Sequence, residues 1–330
     1  MKYVLHIGMN KTGTSTLQVY LGQHRDELLK HGIWYPNIGH YDNAHHGVAE
    51  AIRKDGDFAK FGIDPAALKT PNIPAGVTAV LLSSENFHTL RKKMAGVVAL
   101  FPPEQTEVIL YLREHIAYFA SWYQQDIQAS RGQITCSFYE NALLRGYPYM
   151  DLIRLWQDAY GKNLQVRAYD RKLLLGGDIV QDFFSAAFNM APPVARTLED
   201  SNPSISGNLL FLKLVLNHLL TTEENSKVVE ELNALARLDP RFSGRMRVSK
   251  HDASRLAFQY REDRKQLKQK FGIAFRPPVD GVEGNLVPDF STLRDDVTKI
   301  LKEAKSRGFA FYDIFARKRA LMFPEILESG

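Results

Sequence analysis

The chain has 330 residues, of which 45% are apolar and 24% charged, the profile of a folded globular protein and not of a collagenous, low-complexity or disordered one. Its net charge is +5, yet residues 241–270 hold ten Lys and Arg against Asp252, Glu262 and Asp263, so the remainder is close to neutral. The single cysteine, Cys136, excludes an internal disulfide and a cysteine-built zinc site. No apolar run approaches the roughly 20 residues of a membrane-spanning helix, no secretory leader is read after Met1, and a cytoplasmic protein is expected.

In chain order, strands are expected at 3–8, 79–84, 108–112 and 164–169, each mostly apolar without clean alternation, as in strands buried on both faces. Between them, helical spacing of apolar residues predicts helices at 15–30, 116–129 and 149–159. This alternation predicts a three-layer α/β fold, a parallel sheet flanked by helices. Residues 31–74 are long for one crossover and read as an insertion that shapes a binding face. The texture changes near 195–205, where Pro, Ser and Asn gather. The expected division is a core at 1–200 and a mostly helical region at 201–330 packed on it. The basic stretch straddles a loop and a helix, the helix running from 252 to about 270.

The loop after the first strand carries the most chemistry: Gly8, Met9, Asn10, Lys11, Thr12, Gly13, Thr14, Ser15, Thr16. Gly-rich turns between a strand and a helix present converging backbone N–H groups to an anion, and the helix start adds partial positive charge. Thr14, Ser15 and Thr16 supply hydroxyls, and Lys11 a cation. The two glycines have the spacing of a P-loop, so a P-loop NTPase-like sheet is expected. The lysine precedes the second glycine, however, and no strand end offers a clear acid for magnesium; Asp170 is the nearest candidate. A loop of this kind suits a tetrahedral anion without obligatory metal. A second cation, Arg113, leaves the third strand at its carboxyl end, where open α/β sheets bind ligands. Ser121 follows eight residues later.

Lys11-Thr12-Gly13-Thr14-Ser15, together with Arg113 and Ser121, resembles the sulfotransferases that use 3′-phosphoadenylyl sulfate (PAPS), in particular bacterial and Golgi-type carbohydrate sulfotransferases. Ser121-x-Tyr123 and Asn202-Pro203-Ser204-Ile205-Ser206 are similar to further segments of that family, whereas Arg113-Glu114-His115 departs from its usual Arg-(Asp/Asn)-Pro. The likeness covers about residues 1–210. It implies PAPS as donor, 3′,5′-adenosine bisphosphate (PAP) as product, no required metal, and a hydroxyl acceptor on a carbohydrate, glycan or glycolipid. Lys11, Thr12, Gly13, Thr14, Ser15 and Thr16 would hold the 5′-phosphosulfate, and Arg113 with Ser121 the 3′-phosphate. A P-loop small-molecule kinase using ATP–Mg²⁺ and a non-catalytic nucleotide-binding protein are the alternatives.

In-line sulfuryl transfer needs a group that stabilises charge on the departing oxygen, for which Lys11 is the candidate, and one that takes the acceptor's proton. Glu85 ends the second strand and is the first candidate base; a pairing with a nearby cation is its plainer role. His45 and His46 in the insertion are further candidates, and His88 is expected at most to orient Glu85. A metal held by His40, His45 and His46 is disfavoured, because adjacent histidines chelate one ion poorly. Aromatic interleaving in 241–270 is too sparse for a nucleic-acid partner. Contact with an acidic acceptor, peripheral contact with a membrane surface, and a solvated helix face all stay open for that segment.

Overall fold

The computed structural model describes residues 1–69, 72–129, 136–195, 204–278 and 280–322; Asn202 and Pro203 lie outside the described residues. The chain forms two compact units that interleave along the sequence. One comprises Met1–Glu114, Tyr147–Thr197 and Tyr260–Arg276; the other His115–Gly146, Leu198–Gln259 and Pro277–Gly330. The division of the sequence near residue 200 is one of texture, whereas compactness follows this interleaved pattern.

In chain order the first unit contains β1 (Lys2–His6), α1 (Thr14–Gln23), α2 (Arg25–Lys30), β2 (Ile33–Trp34), α3 (His46–Arg53), β3 (Ala79–Ser83), α4 (Met94–Leu100) and β4 (Thr106–Leu112). The chain then contributes α5 (His115–Gln128) and α6 (Phe138–Arg145) to the second unit. It returns to the first for α7 (Tyr149–Tyr160), β5 (Leu164–Ala168) and α8 (Ile179–Phe188). Next come α9 (Gly207–Leu216), α10 (Thr222–Ala236) and α11 (Lys250–Gln259) in the second unit, and α12 (Arg261–Phe271) in the first. The second unit closes with α13 (Leu293–Ser306) and α14 (Ala310–Met322).

The first unit is a three-layer α/β fold. Its five strands are all parallel in the order β2-β3-β1-β4-β5. From β1 the chain moves to one side, then crosses to the other at β4. The reversal leaves a crevice at the carboxyl ends of the strands beside β1, where such sheets bind ligands. Every residue of β3 is buried, as a strand covered on both faces requires. On one face Val4, Leu81, Ile109 and Tyr111 pack with Leu17, Tyr20 and Leu21 of α1 and Phe183 and Phe184 of α8. On the other, Tyr3 meets Phe101 edge-on at 5.6 Å, and Tyr160 of α7 donates to the Phe101 carbonyl at 2.9 Å. Beneath α8, the Asp182 carboxylate is almost fully buried, and Tyr111 Oη, Arg167 Nε and Nη2 and the Leu175 amide all donate to it at 2.6–3.0 Å. A buried charge so completely partnered costs little to keep.

Three local expectations needed correction. The predicted helix over 15–30 breaks at His24 (φ −114°, ψ 28°), and Asp26 and Glu27 give α2 the acidic first turn that a new helix start favours. The insertion contains an edge strand, β2, too short for any alternation to show. The basic helix breaks at Tyr260 into α11 and α12, which belong to different units. Asp263 of α12 turns inward and accepts from the Tyr149 and Met150 amides at 2.8 and 2.9 Å. It thereby caps α7, whose own N-cap is Pro148 with no side-chain cap.

Within the second unit, Lys213 of α9 is fully buried and donates to the Ile127 carbonyl near the end of α5 at 2.9 Å. That carbonyl end suits a cation, while burial pulls the ammonium down to about 8. The Glu231 carboxylate of α10 accepts from the Ala310 and Phe311 amides at the start of α14, at 2.9 and 2.8 Å. Among the described residues, no helix is long and apolar enough to cross a membrane.

Candidate active site

The pairing of β1 with β4 continues past the assigned end of β1, through Ile7 N to Ile109 O at 3.0 Å and Met9 N to Tyr111 O at 3.4 Å. The loop therefore starts anchored to β4. Lys11 and Gly13 both take left-handed backbone, φ 63° and 77°, and such alternation turns successive amides toward one concavity. Thr12, fully buried, closes the turn by donating from Oγ1 to Met9 O at 2.6 Å. Gly13 precedes α1 without any side-chain cap, so the amides of the first turn, which have no intrahelical partner, meet no capping side chain. Glycine is required at 13 on a second ground: a Cβ there would lie 2.6 Å from the Tyr169 ring. Ser15 is exposed, while Thr14 is buried and Thr16 lies between.

Arg113 follows β4 and reaches back to this loop, donating from Nη1 to Lys11 O at 3.2 Å. Its own carbonyl accepts from Tyr149 Oη at 2.9 Å. Burial, and then the neighbouring Arg113 guanidinium, pull the Lys11 ammonium below its ordinary value. Two cations are thus held together at adjacent strand ends, an arrangement that an anion relieves. Ser121, expected to share an anion with Arg113, lies on α5 in the second unit and is partly buried.

On the other side of β1, the end of β3 delivers Ser83, Ser84 and Glu85. Glu85 Oε2 accepts from Gln18 Nε2 of α1 at 2.9 Å, and Oε1 lies 3.8 Å from His46 Nε2. Ser84 Oγ accepts from the Asn86 amide at 3.1 Å and is 2.7 Å from His46 Nδ1. His46 thus lies between Ser84 and Glu85, Nδ1 toward the one and Nε2 toward the other. Both side chains keep an outlet to solvent, Glu85 at 19% and His46 at 24% exposure.

His45, adjacent to His46 in sequence, points the other way. It is fully buried, its Nδ1 accepts from the Ser83 amide at 3.2 Å, and its Nε2 donates to Pro36 O at 2.9 Å. With both ring nitrogens engaged and no exposure, His45 fixes the insertion to β3, and the expectation of a base at this position is withdrawn. His40 Nδ1 accepts from Arg25 Nη2 at 2.8 Å, so its proton also sits on Nε2, 3.0 Å from His45 Nε2 and facing the same carbonyl. These nitrogens are committed to hydrogen bonds, and among the described residues no group of three or more His, Cys, Asp or Glu is placed to hold a metal ion. His88 accompanies Glu85 through its backbone only, by a short hydrogen bond from Nδ1 to the Glu85 carbonyl. Asp170 accepts from the Lys172 amide at 2.9 Å and caps its own turn.

The buried histidines have a consequence for stability. Burial holds His6 down at about 3, His88 at about 4 and His45 well below the ordinary value, whereas in the unfolded chain each protonates near 6.5. Below that pH the unfolded state binds more protons, so the histidines' contribution to stability is constant above about pH 7 and falls as pH drops from 6.5 toward 4. Each histidine contributes about 1.4 kcal/mol per pH unit in that window, and three contribute about 4. Urea unfolding measured from pH 8 to 5 should show this slope; an uptake of one proton or fewer on unfolding would refute it.

Gln18, Ser84 and Tyr169 were not visible as site residues in the sequence. Gln18 stands four residues after Thr14, on the same buried face of α1, a spacing that could have marked it as facing the loop. Its pairing with Glu85 across 67 positions carries no local signal.

Fold and site together define a parallel α/β protein with a cationic, amide-lined loop after its central strand and a carboxylate at the neighbouring strand end. No family model matches the chain. A protein of Archaeoglobus fulgidus described as uncharacterized is 26% identical over 171 residues, 50% of this chain and 46% of that protein; the match spans about half of each. A solved structure described as a sulfotransferase from Alicyclobacillus acidocaldarius is similar at a TM-score of 0.39 and 16% identity, over 71% of this chain and 96% of that one.

Proposed function

We propose that the protein is a sulfotransferase that moves the sulfuryl group of PAPS to a hydroxyl of a carbohydrate or glycoconjugate. The observation that carries this reading is that Arg113 is held to the Lys11 loop after β1 while the neighbouring strand β3 ends in the Glu85 carboxylate, fixed by Gln18 of α1. Loop amides and the hydroxyls of Thr14, Ser15 and Thr16 bind the phosphosulfate, and Arg113 binds the 3′-phosphate. A bond forms between the acceptor oxygen and sulfur as the bond from sulfur to the 5′-phosphate oxygen breaks, and PAP departs. The acceptor's proton passes to the Glu85 carboxylate, while Lys11 and the amides stabilise charge on the departing oxygen. Glu85 is preferred to His46 as base because its Oε2 is held by Gln18 of α1, the helix that begins at the donor loop, whereas Nδ1 of His46 is engaged with Ser84. His46 then contributes to the acceptor side next to Glu85.

Calorimetry with PAP beside ATP–Mg²⁺ tests the donor. PAP should bind in the absence of magnesium, and Arg113→Ala should weaken PAP by about 10–10²-fold while leaving adenosine 5′-phosphosulfate, which lacks the 3′-phosphate, nearly unchanged. Binding of ATP–Mg²⁺ alone would replace this reading with a kinase, and PAP binding without transfer to any acceptor with a nucleotide-binding protein.

A further inference from the structure

We propose that Gln18 is a positioning residue that fixes which Glu85 oxygen faces the acceptor; the proposal rests on the reading of Glu85 as base. Gln18 is 5% exposed on the buried side of α1. Its Nε2 is shared between Glu85 Oε2 at 2.9 Å and Ser83 Oγ at 3.3 Å. Ser83, fully buried, is in turn 2.8 Å from Nδ1 of the fully buried His6. A carboxylate at the end of a strand has three freely rotating side-chain bonds, and an exposed one would sample many orientations. Here one oxygen is tied to α1, the helix that begins at the donor loop, and the other faces His46 Nε2 at 3.8 Å. Gln18 therefore registers the base against the same helix that holds the donor. An amide suits this position because its NH₂ end can serve Glu85 and Ser83 together without adding charge beside the carboxylate. Misplacement of a reacting group by about an ångström costs on the order of 10²-fold, so the tie matters to turnover more than to donor binding.

Two measurements test this. In kinetics, Gln18→Leu, and Gln18→Met as a variant closer in volume, should lower kcat about 10–10²-fold with the Kd for PAP held within about twofold. In a Glu85→Gln background the same substitutions should lower kcat no further, since a residue that acts only through Glu85 has nothing left to position. Equal losses in both backgrounds would overturn the proposal. In ¹⁵N-labelled protein, the Gln18 side-chain amide pair, assigned by its loss in Gln18→Met, should shift and exchange faster in Glu85→Ala. An amide pair indifferent to Glu85→Ala would also overturn it. Should the unaltered protein neither bind PAP nor transfer sulfuryl, the proposed function fails, and the amide measurement still decides whether Gln18 holds the carboxylate.

Discussion

Glu85→Gln is expected to lower turnover by at least ~10²-fold, the range for loss of a general base, while PAP binds as before. The substitution keeps size and shape, and the new side-chain carbonyl can still accept from Gln18, whose Nε2 lies 2.9 Å from Glu85 Oε2. What it removes is the capacity to take a proton. His46→Ala is the informative companion: with its Nδ1 engaged by Ser84 and its Nε2 3.8 Å from Glu85, His46 should matter by less. Steady-state transfer to a hydroxyl acceptor and PAP calorimetry together separate the two roles. Near-normal turnover in Glu85→Gln would remove Glu85 as base.

The second large effect is expected at Lys11. Lys11→Ala should cost about 10²–10³-fold in turnover with every acceptor tried, as the loss of a group that stabilises developing charge does. The backbone there is left-handed, φ 63°, which disfavours Lys and Ala alike, so the comparison isolates the ammonium from the shape of the loop. Burial and Arg113 already press this cation toward its neutral form; a group in that condition gains most when negative charge grows beside it. PAP, which carries no sulfuryl group, should lose less affinity than turnover loses rate. Full activity in Lys11→Ala would sink the assignment of the loop.

Much of this molecule was legible because its signals are contiguous. β1, β3 and most of β4 are contiguous apolar runs, and the Gly8–Thr16 turn follows the first of them directly. Glu85 could be placed at a strand end from the run that precedes it. The illegible parts depend on partners far away in the chain or on departures without a marker residue. Neither His24 nor Tyr260 is a glycine or proline, yet helices break at both. His45 and His46 looked equivalent as neighbours, but one precedes α3 and the other begins it, which sends one ring beneath β3 and the other toward Glu85. Only the three-dimensional pairing with Ser83 and Ser84 tells them apart.

The inward turn of Asp263 bears on how the molecule looks to a charged neighbour. Counted from the sequence, α12 offsets its basic residues with two acids, Glu262 and Asp263. Asp263 is 6% exposed and its charge is matched by the amide end of α7, so little of its field escapes to solvent. Outwardly, α12 shows Arg261, Lys265, Lys268 and Lys270, with Glu262 as the exposed acid. The electropositive ridge is thus partly a by-product of capping another helix, and the formal charge understates what an approaching anion would feel.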